Sequence, residues 1–288
     1  MRAQPPGIRT LLADASARLT AAGVTSPDVD AQWLLAHVLD VPRSGLLLHD
    51  EPAAEALATY ERLLVRRCSR EPLQHLLGTA AFRHVELEVG PGVFTPRPES
   101  ELLAGWGIDH LAALRERGVE HPVVVDLCTG SGAIAAAVAD EAAYAEVHAV
   151  EVSEQALAYA ERNLAATGVD LRAGDVADSF GDLDGTVHVV LANPPYIPVG
   201  EYESVAPEAR DHDPAMALWS GPDGLDAVRV VEQVAHRLLV PGGAVGCEHA
   251  DAQGESVPGL FAAAQRWSGI HDHRDLAERP RFTTARRR

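Results

Sequence analysis

Four consecutive residues, Asn193, Pro194, Pro195 and Tyr196, carry the most specific chemical signal in the sequence. An amide or exocyclic NH₂ group is a poor nucleophile because its lone pair is delocalised. The side-chain oxygen of Asn193 and the carbonyl of Pro194 can each accept one N–H of such a group, and Tyr196 can stack on its flat face. The motif therefore predicts chemistry at a planar NH₂ nitrogen, driven by positioning and polar acceptors. In isolation, Asn-Pro is also a common turn signal that would only end a strand.

A second signal is the loop at residues 126–132, which is followed by Glu151 nineteen positions after Gly132. Glycines at 130 and 132 let a backbone approach a ligand, and an acid at this distance binds ribose hydroxyls in dinucleotide folds. The alternative is a tight turn with Glu151 as a helix cap. A Walker loop needs a lysine, which the chain lacks, and the fingerprint G-x-G-x-x-G meets Ala135 at its last position.

The pattern Asp-x-x-x-Gly-x-Gly that begins at Asp126 instead resembles the first motif of class I methyltransferases, which use S-adenosylmethionine (SAM). Asp175, which follows the strand region at Leu171, resembles the acid that faces the adenine amino group in such enzymes. The sequence therefore predicts a SAM site that adjoins the Asn-Pro-Pro-Tyr motif.

Alternating strands and helices must position these residues. Buried-strand runs occur at 123–127, 147–150, 187–191 and 244–248, and helical patterns at 133–142, 154–166 and 226–239. This order predicts an α/β fold, a Rossmann-like doubly wound parallel sheet whose carboxyl edge holds the glycine loop and Asn193.

The N-terminal part of the chain has a different character. Helical apolar spacing before residue 70 and a turn signal at 90–92 predict a helical domain over 1–78 and a β-hairpin linker over 79–96. The α/β domain then covers 97–288.

Composition and charge exclude several classes of protein. The 288 residues are 47% hydrophobic and 23% charged, which is typical of a globular chain, and no apolar run reaches the ~18–20 residues that span a bilayer. The net charge is −18 and the first 70 residues are neutral, so the rest of the chain repels a phosphate backbone. The three cysteines lie far apart in the sequence, and the first residues lack the pattern of a secretory signal. Together these features predict that the protein is located in the reducing cytoplasm.

Segments across nearly the whole chain, from about residue 10, resemble the HemK/PrmC family of release factor glutamine methyltransferases. The matching segments are REPLQH at 70–75, GVFTPRPESE at 92–101, the glycine loop, NPPYIP at 193–198, HDPAMAL at 212–218 and DGL at 223–225. The 94–101 and 213–225 pieces are not general methyltransferase features, so they are specific to this family.

The resemblance implies that a methyl group passes from SAM to the side-chain nitrogen N5 of the glutamine in the Gly-Gly-Gln loop of peptide chain release factors. The helical domain would recognise this partner, and the protein would be a monomer with no metal and no direct contact with nucleic acid or membrane. The implied SAM contacts are Cys128, Thr129, Gly130, Ser131, Gly132, Glu151, Asp175, Val176, Asn193, Phe94 and Arg97. The implied substrate contacts are Asn193, Pro194, Pro195 and Tyr196, with Asn193, Pro194 and Tyr196 catalytic.

Three positions depart from the family pattern. Cys128 stands where glycine is frequent, Glu151 where aspartate is frequent, and Val176 where a bulky aromatic often follows the adenine-facing acid. None of these changes removes the implied chemistry. For Arg97, a surface ion pair is the alternative to a role at the cofactor.

Several alternatives remain open. The same motif serves adenine N6-methyltransferases on DNA or RNA, another protein's glutamine is an alternative substrate, and a non-catalytic SAM-binding protein is a third reading. The acidic segment at 201–213 is either a solvated loop or a surface that steers a basic partner. The run at 271–273, His-Asp-His, lacks further ligands at metal spacing and is expected in a solvated loop, as are the last three arginines.

Overall fold

The computed structural model describes residues 7–49 and 52–288, which form two compact units. The first unit contains the described residues up to Thr79 together with Ala206–His212, and the second contains Ala80–Val205 and Asp213–Arg288. The sequence-based boundaries did not anticipate that a segment beyond residue 200 joins the N-terminal unit. Residues 1–6, which bear on the expected absence of a secretory start, lie outside the described residues.

The first unit is helical. Its helices are α1 (Ile8–Ala21), α2 (Pro27–Leu39), α3 (Ala54–Cys68), α4 (Leu73–Leu77) and, from the returning segment, α8 (Pro207–His212). Amphipathic spacing explains α1, which buries Ile8, Ala15 and Leu19. Proline at the first position of α2 suits a helix start because its missing N–H would have no partner there.

Ionic hydrogen bonds hold the returning helix in this unit. The Glu208 carboxylate accepts from Arg70 Nε at 2.7 Å and Nη2 at 2.6 Å, and from Arg67 Nη2 at 3.0 Å. Arg67, whose side chain is only 6% exposed, also pairs with Asp30 at 2.7 Å. Buried charges of this kind are tolerated only when they are paired, so each partner depends on the others.

The second unit contains a two-stranded hairpin and a seven-stranded sheet. The hairpin strands are β1 (Thr79–Phe82) and β2 (Val85–Glu88). The sheet strands are β3 (Val123–Leu127), β4 (Glu146–Glu151), β5 (Asp170–Ala173), β6 (Val187–Ala192), β7 (Leu239–Glu248), β8 (Trp267–Arg274) and β9 (Pro280–Arg287). Their order is β5-β4-β3-β6-β7-β9-β8, with the first five parallel.

Helices cover both faces of this sheet. They are α5 (Ser100–Glu116), α6 (Ala133–Glu141), α7 (Glu154–Leu164), α9 (Asp226–Leu238) and α10 (Ser256–Ala263). Residues of α5, α6 and α7 pack on one face and those of α9 and α10 on the other. Adjacent residues of one strand, such as Val189 and Val190, therefore enter opposite cores. This is why the central strands read as continuous apolar runs.

The C-terminal region departs from the sequence-based expectations. β9 runs antiparallel to both β7 and β8, whereas a wholly parallel sheet was expected. The expectation of a solvated loop at 271–273 is wrong, because these residues lie in β8 and His273 stacks on Phe282 of β9 with 4.4 Å between ring centroids. The expected arginine tail is also largely strand, and Arg287 donates to the carbonyl of Leu239.

In the described part of the chain, every helix is too short or too polar to cross a membrane. Residues 7–49 and 52–288 also contain no group of three or more histidine, cysteine, aspartate or glutamate side chains arranged to hold a metal ion.

Candidate active site

Three neighbouring parallel strands bring the glycine loop, the acid and the Asn-Pro-Pro-Tyr motif to one edge of the sheet. Leu127, the last residue of β3, pairs with Ala192, the last residue of β6, and with Val150, one residue before the end of β4. The residues that follow are Cys128, Glu151 and Asn193. Strand order reverses at β3, and ligands of open α/β sheets bind in the crevice outside such a point.

The loop that joins β3 to α6 needs unusual backbone conformations. Cys128, Gly130 and Gly132 all have positive φ, at 62°, 59° and 86°. A Cβ atom at Gly132 would lie 3.0 Å from Cγ of Leu164, whereas one at Gly130 would meet nothing within 4 Å. Cys128 adopts a conformation that favours glycine, which explains physically why glycine is frequent at this family position.

Asp126 holds this loop from within the core. Its Oδ2 accepts a hydrogen bond from Thr129 Oγ1 at 2.5 Å and another from the backbone N–H of Ala135 at 3.2 Å. Burial raises the pKa of Asp126 to about 7, although both hydrogen bonds act to lower it. The first acid of the motif therefore shapes the loop.

Glu151, the acid at the end of β4, is hydrogen-bonded to the same loop. Its Oε2 accepts from the backbone N–H of Gly130 at 2.8 Å, and its Oε1 accepts from Val152 at 3.0 Å and Ser153 at 2.8 Å. Burial raises the pKa of Glu151, and the three backbone N–H groups counteract that rise. A carboxylate has about four acceptor positions, so one remains for a ligand hydroxyl.

The segment with Asp175 and Val176 lies beside the end of β4, because the N–H of Gly174 donates to the carbonyl of Glu151 at 3.0 Å. The exposed Asp175 carboxylate uses Oδ1 to accept from the N–H of Ala177 at 2.9 Å. Val176 is half-buried against the core under α9. The structure thus brings Asp175 close to Glu151 through the backbone.

Asn193 has a defined side-chain partner. Its Nδ2 donates to the hydroxyl of Ser100, the first residue of α5, at 3.1 Å. The amide oxygen is therefore the group of Asn193 that can accept an N–H from a substrate. Pro194 is buried, whereas Asn193 and Pro195 are half-buried.

Tyr196 is anchored at both its side chain and its backbone. Its hydroxyl donates to Oε1 of Glu248 at 3.4 Å, and its carbonyl accepts from Nε2 of Gln253 at 2.9 Å. Gly224, with φ of 73°, packs so closely that a Cβ there would lie 2.4 Å from this carbonyl. The family-specific segment at 223–225 therefore supports the backbone of the motif.

Phe94 and Arg97 precede α5, and the carbonyl of Arg97 accepts a hydrogen bond from the N–H of Ser100 at 3.1 Å. The Arg97 guanidinium lies 4.9 Å from the centroid of the Phe94 ring and 2.6 Å from Oδ2 of the buried Asp213. Arg97 thus makes an ion pair, and its contact with a cofactor stays a prediction.

Comparisons with known proteins show the family to which the chain belongs. The family model described as PrmC N-terminal domain matches residues 10–78, and that described as Methyltransferase small domain matches residues 108–207. The release factor glutamine methyltransferase of Streptomyces coelicolor is 54% identical over 276 residues, which cover 96% of each chain. The chain belongs to the release factor glutamine methyltransferase family. The relative with this name from Mycolicibacterium smegmatis is 46% identical and covers 97% of this chain and 98% of its own.

The chain is also similar to a relative with a different named activity and to a solved structure. A protein of Streptomyces pristinaespiralis named 4-amino-L-phenylalanine/4-methylamino-L-phenylalanine methyltransferase is 41% identical over 93% of this chain and 91% of its own. The solved hMettl16 catalytic domain, in complex with MAT2A 3'UTR hairpin 6, has a TM-score of 0.55 at 11% identity, covering 70% of this chain and 75% of that one. The predicted class I methyltransferase fold is confirmed.

Two residues of the site were not assigned a role from the sequence. Ser100 lies within the matching segment at 92–101, which predicted no role for its side chain, and Glu248 lies outside the matching segments given above. A signal for Glu248 existed, because it closes the strand beside β6 and so emerges at the same edge as Asn193. No local sequence pattern indicated that the Ser100 side chain contacts Asn193.

The acidic segment at 201–213 is largely neutralised. Glu208 binds two arginines of the first unit, Asp211 pairs with Arg210 at 2.8 Å, and Asp213 pairs with Arg97. At least three of its five carboxylates are thus engaged in ion pairs, which weakens the hypothesis that the whole segment steers a basic partner.

Proposed function

We propose that this protein transfers a methyl group from SAM to the side-chain nitrogen N5 of the glutamine in the Gly-Gly-Gln loop of peptide chain release factors. The single observation in the site that carries the proposal is the orientation of Asn193, whose nitrogen is bound to Ser100 and whose oxygen is left to accept a substrate N–H. The 54% identical relative with this named activity supports the choice of substrate.

The residues at the edge of the sheet fit SAM. Gly130 faces open space where a Cβ would meet no neighbour, so a ligand can approach the backbone there. Glu151 retains an acceptor position for ribose hydroxyls, and Asp175 presents an exposed carboxylate for an amino group. When bound, SAM supplies an electrophilic methyl group on a sulfonium sulfur. Residues 128–132, Val176, Phe94 and Arg97 complete the proposed contacts.

The Asn-Pro-Pro-Tyr motif would hold the acceptor. The oxygen of Asn193 and the carbonyl of Pro194 each accept one N–H of the glutamine amide, and the Tyr196 ring packs on its plane. The two prolines restrict the backbone, so the two acceptors keep their separation. Fixing the plane and both N–H bonds presents one face of the nitrogen for transfer, so the residues act by positioning and preorganised polarity.

A methyl-transfer assay tests the proposal. We expect label from methyl-labelled SAM to appear on a purified release factor, but not on a copy whose Gly-Gly-Gln glutamine is replaced by alanine. Asn193→Ala should abolish transfer even at saturating SAM, which offsets the loss of the implied contact between Asn193 and the cofactor. Label on both forms of the factor, or transfer that survives Asn193→Ala, contradicts the proposed site.

Two other acceptors belong in the same assay. Duplex DNA tests the adenine alternative, which the net charge of −18 disfavours. 4-Amino-L-phenylalanine tests a second candidate function, which the 41% identical relative from Streptomyces pristinaespiralis favours, because an aromatic amine is also a planar NH₂ group. Recognition of the release factor by the helical unit, a monomeric state and a cytoplasmic location stay predictions.

A further inference from the structure

Two side-chain amides each bind three backbone groups beside the candidate site. The first, Gln253, lies in a short helical turn after β7 and is 6% exposed. Its Oε1 accepts from the backbone N–H of Ala250 at 3.0 Å, while its Nε2 donates to the carbonyls of Tyr196 at 2.9 Å and Gly224 at 3.4 Å. A backbone N–H only donates and a carbonyl only accepts, so these partners fix the orientation of the amide.

The second amide, Asn163 in α7, makes the same arrangement on the cofactor side. Its Oδ1 accepts from the backbone N–H of Glu88 in β2 at 2.7 Å. Its Nδ2 donates to the carbonyls of Glu88 at 3.0 Å and Ser131 at 2.8 Å. Ser131 belongs to the glycine loop and is 2% exposed. Each amide therefore connects a loop of the site to a neighbouring segment of the chain.

Gln253 holds the far end of the Asn-Pro-Pro-Tyr motif through the carbonyl of Tyr196. The near end is fixed because β6 pairs with β7. The proposed acceptors of the substrate amide, on Asn193 and Pro194, lie between these two fixed points. Loss of the Gln253 hydrogen bond therefore frees one end of the segment that must keep both acceptors in place.

Asn163 holds the last part of the glycine loop. Its hydrogen bond fixes the peptide group that joins Ser131 to Gly132, whose φ of 86° lies in the left-handed region. Asp126 holds the same loop from within the core, and Glu151 holds it from β4. Asn163 adds an attachment from α7, so the shape of the SAM loop depends on it.

We propose that Gln253 and Asn163 are positioning residues, of which the first holds the acceptor motif and the second holds the SAM loop in the shape that methyl transfer requires. This inference rests on the proposed function. Both side chains act through the backbone carbonyls that they bind. Because they hold different parts of the site, loss of one amide should impair a different step from loss of the other.

The test exchanges NH₂ for oxygen in each amide, with Gln253→Glu and Asn163→Asp in the full chain. Both changes add the same charge and replace a donor by an acceptor that repels two carbonyls. With a release factor as acceptor at saturating SAM, we expect Gln253→Glu to lower kcat about tenfold to a hundredfold and to keep the Kd for SAM within about threefold. Asn163→Asp should raise the Kd for SAM at least about tenfold and lower kcat at saturating SAM by less than about threefold.

Uncharged variants repeat the comparison without the added carboxylate. Gln253→Met and Asn163→Leu keep the approximate size of each side chain and remove its amide. We expect the same division between kcat and SAM affinity in this second pair. A loss of packing alone would not assign kcat to one residue and SAM affinity to the other.

Glu232→Gln is the control for a general loss of stability. The Glu232 carboxylate is 4% exposed and accepts from Arg266 and Trp267. Trp267 begins β8 and pairs with Arg287 at the end of β9, whereas the carboxyl end of β7 pairs near the start of β9. The control therefore disturbs the opposite edge of the sheet, and both kcat and the Kd for SAM should stay within about twofold.

Amide hydrogen exchange provides a readout that needs no methyl acceptor. The N–H groups of Ile197 and Gly132 are both hydrogen-bonded to backbone carbonyls, one just after the motif and one in the SAM loop. Gln253→Met should speed exchange at Ile197 at least about tenfold and leave Gly132 unchanged. Asn163→Leu should have the reverse effect.

The inference is overturned if either folded variant keeps the wild-type value of the quantity assigned to it, or if both variants impair kcat and SAM binding alike. A wild-type protein that binds SAM but does not methylate the release factor refutes instead the proposed function. In that case the exchange rates and the Kd for SAM still decide the inference. The two failures are therefore distinguishable.

Discussion

Substituting the two glycines of the SAM loop separately should distinguish a residue that the fold requires from one that the ligand requires. Gly130 and Gly132 both have positive φ, so alanine at either position costs about 1–2 kcal/mol of backbone strain. Only at Gly132 does the new Cβ also press on a neighbour, Leu164 Cγ at 3.0 Å. Such overpacking adds about 1–3 kcal/mol. We therefore expect Gly132→Ala to lower the free energy of unfolding by about 2–5 kcal/mol and Gly130→Ala by about 1–2 kcal/mol.

Ligand binding should show a different pattern. The Cβ of Gly130→Ala would extend into the open space that we assign to SAM, next to the N–H that holds Glu151. We expect its affinity for SAM to fall at least about tenfold, which corresponds to about 1.4 kcal/mol. Gly185→Ala is the matched control, because Gly185 has φ of 71° and nothing within 4 Å but lies before the opposite end of β6. It should share the stability loss of Gly130→Ala and bind SAM normally.

Urea unfolding and isothermal titration with SAM measure the two quantities independently. If Gly130→Ala binds SAM as tightly as Gly185→Ala does, the ligand does not approach the loop backbone and the assigned site is wrong. If Gly132→Ala is no less stable than Gly130→Ala, the Leu164 side chain yields without cost and the packing argument fails.

Two further predictions concern the half-buried carboxyl of Glu208 and the buried carboxyl of Asp126. Burial acts to raise the pKa of Glu208, but hydrogen bonds from Arg70 and Arg67 lower it to about 2, so Glu208→Gln should reduce the free energy of unfolding at pH 7 by on the order of 3 kcal/mol. In urea unfolding the gap from wild type should close as the pH falls from about 4.5 to about 2, and a constant gap would contradict the assignment. Asp126, whose pKa burial raises to about 7, keeps its proton in the fold at pH values where the unfolded chain has lost it. Wild-type stability should therefore decline between pH 4 and pH 7 relative to Asp126→Asn, and parallel pH curves would refute this reading.

The elements that build the site were predictable because their signals are local. The apolar run at 123–127 was expected as a strand and is β3, with the same bounds. A central parallel strand is buried on both faces, so its sequence is almost uninterrupted by polar residues. The positions of the glycine loop and Asn193 followed from the ends of such strands.

The parts that escaped prediction depend on long-range contacts. Ser100 meets Asn193 across 93 positions, and no periodicity encodes that encounter. After its first residue β8 is exposed or half-buried without regular alternation, so its sequence resembles a loop although it pairs with β9. The ion pairs of Glu208 with arginines about 140 positions earlier follow the same rule, because charge patterns do not indicate their partners.

The return of Ala206–His212 to the helical unit has a consequence for synthesis of the chain. A ribosome releases the N-terminal helices long before Glu208 emerges, so Arg70 lacks its carboxylate and Arg67 has only Asp30 while more than 130 residues are translated. The nascent helical unit lacks its last helix during that interval. An expression fragment that stops at residue 78 reproduces this unfinished species, and adding residues 206–212 as a separate peptide supplies what it lacks.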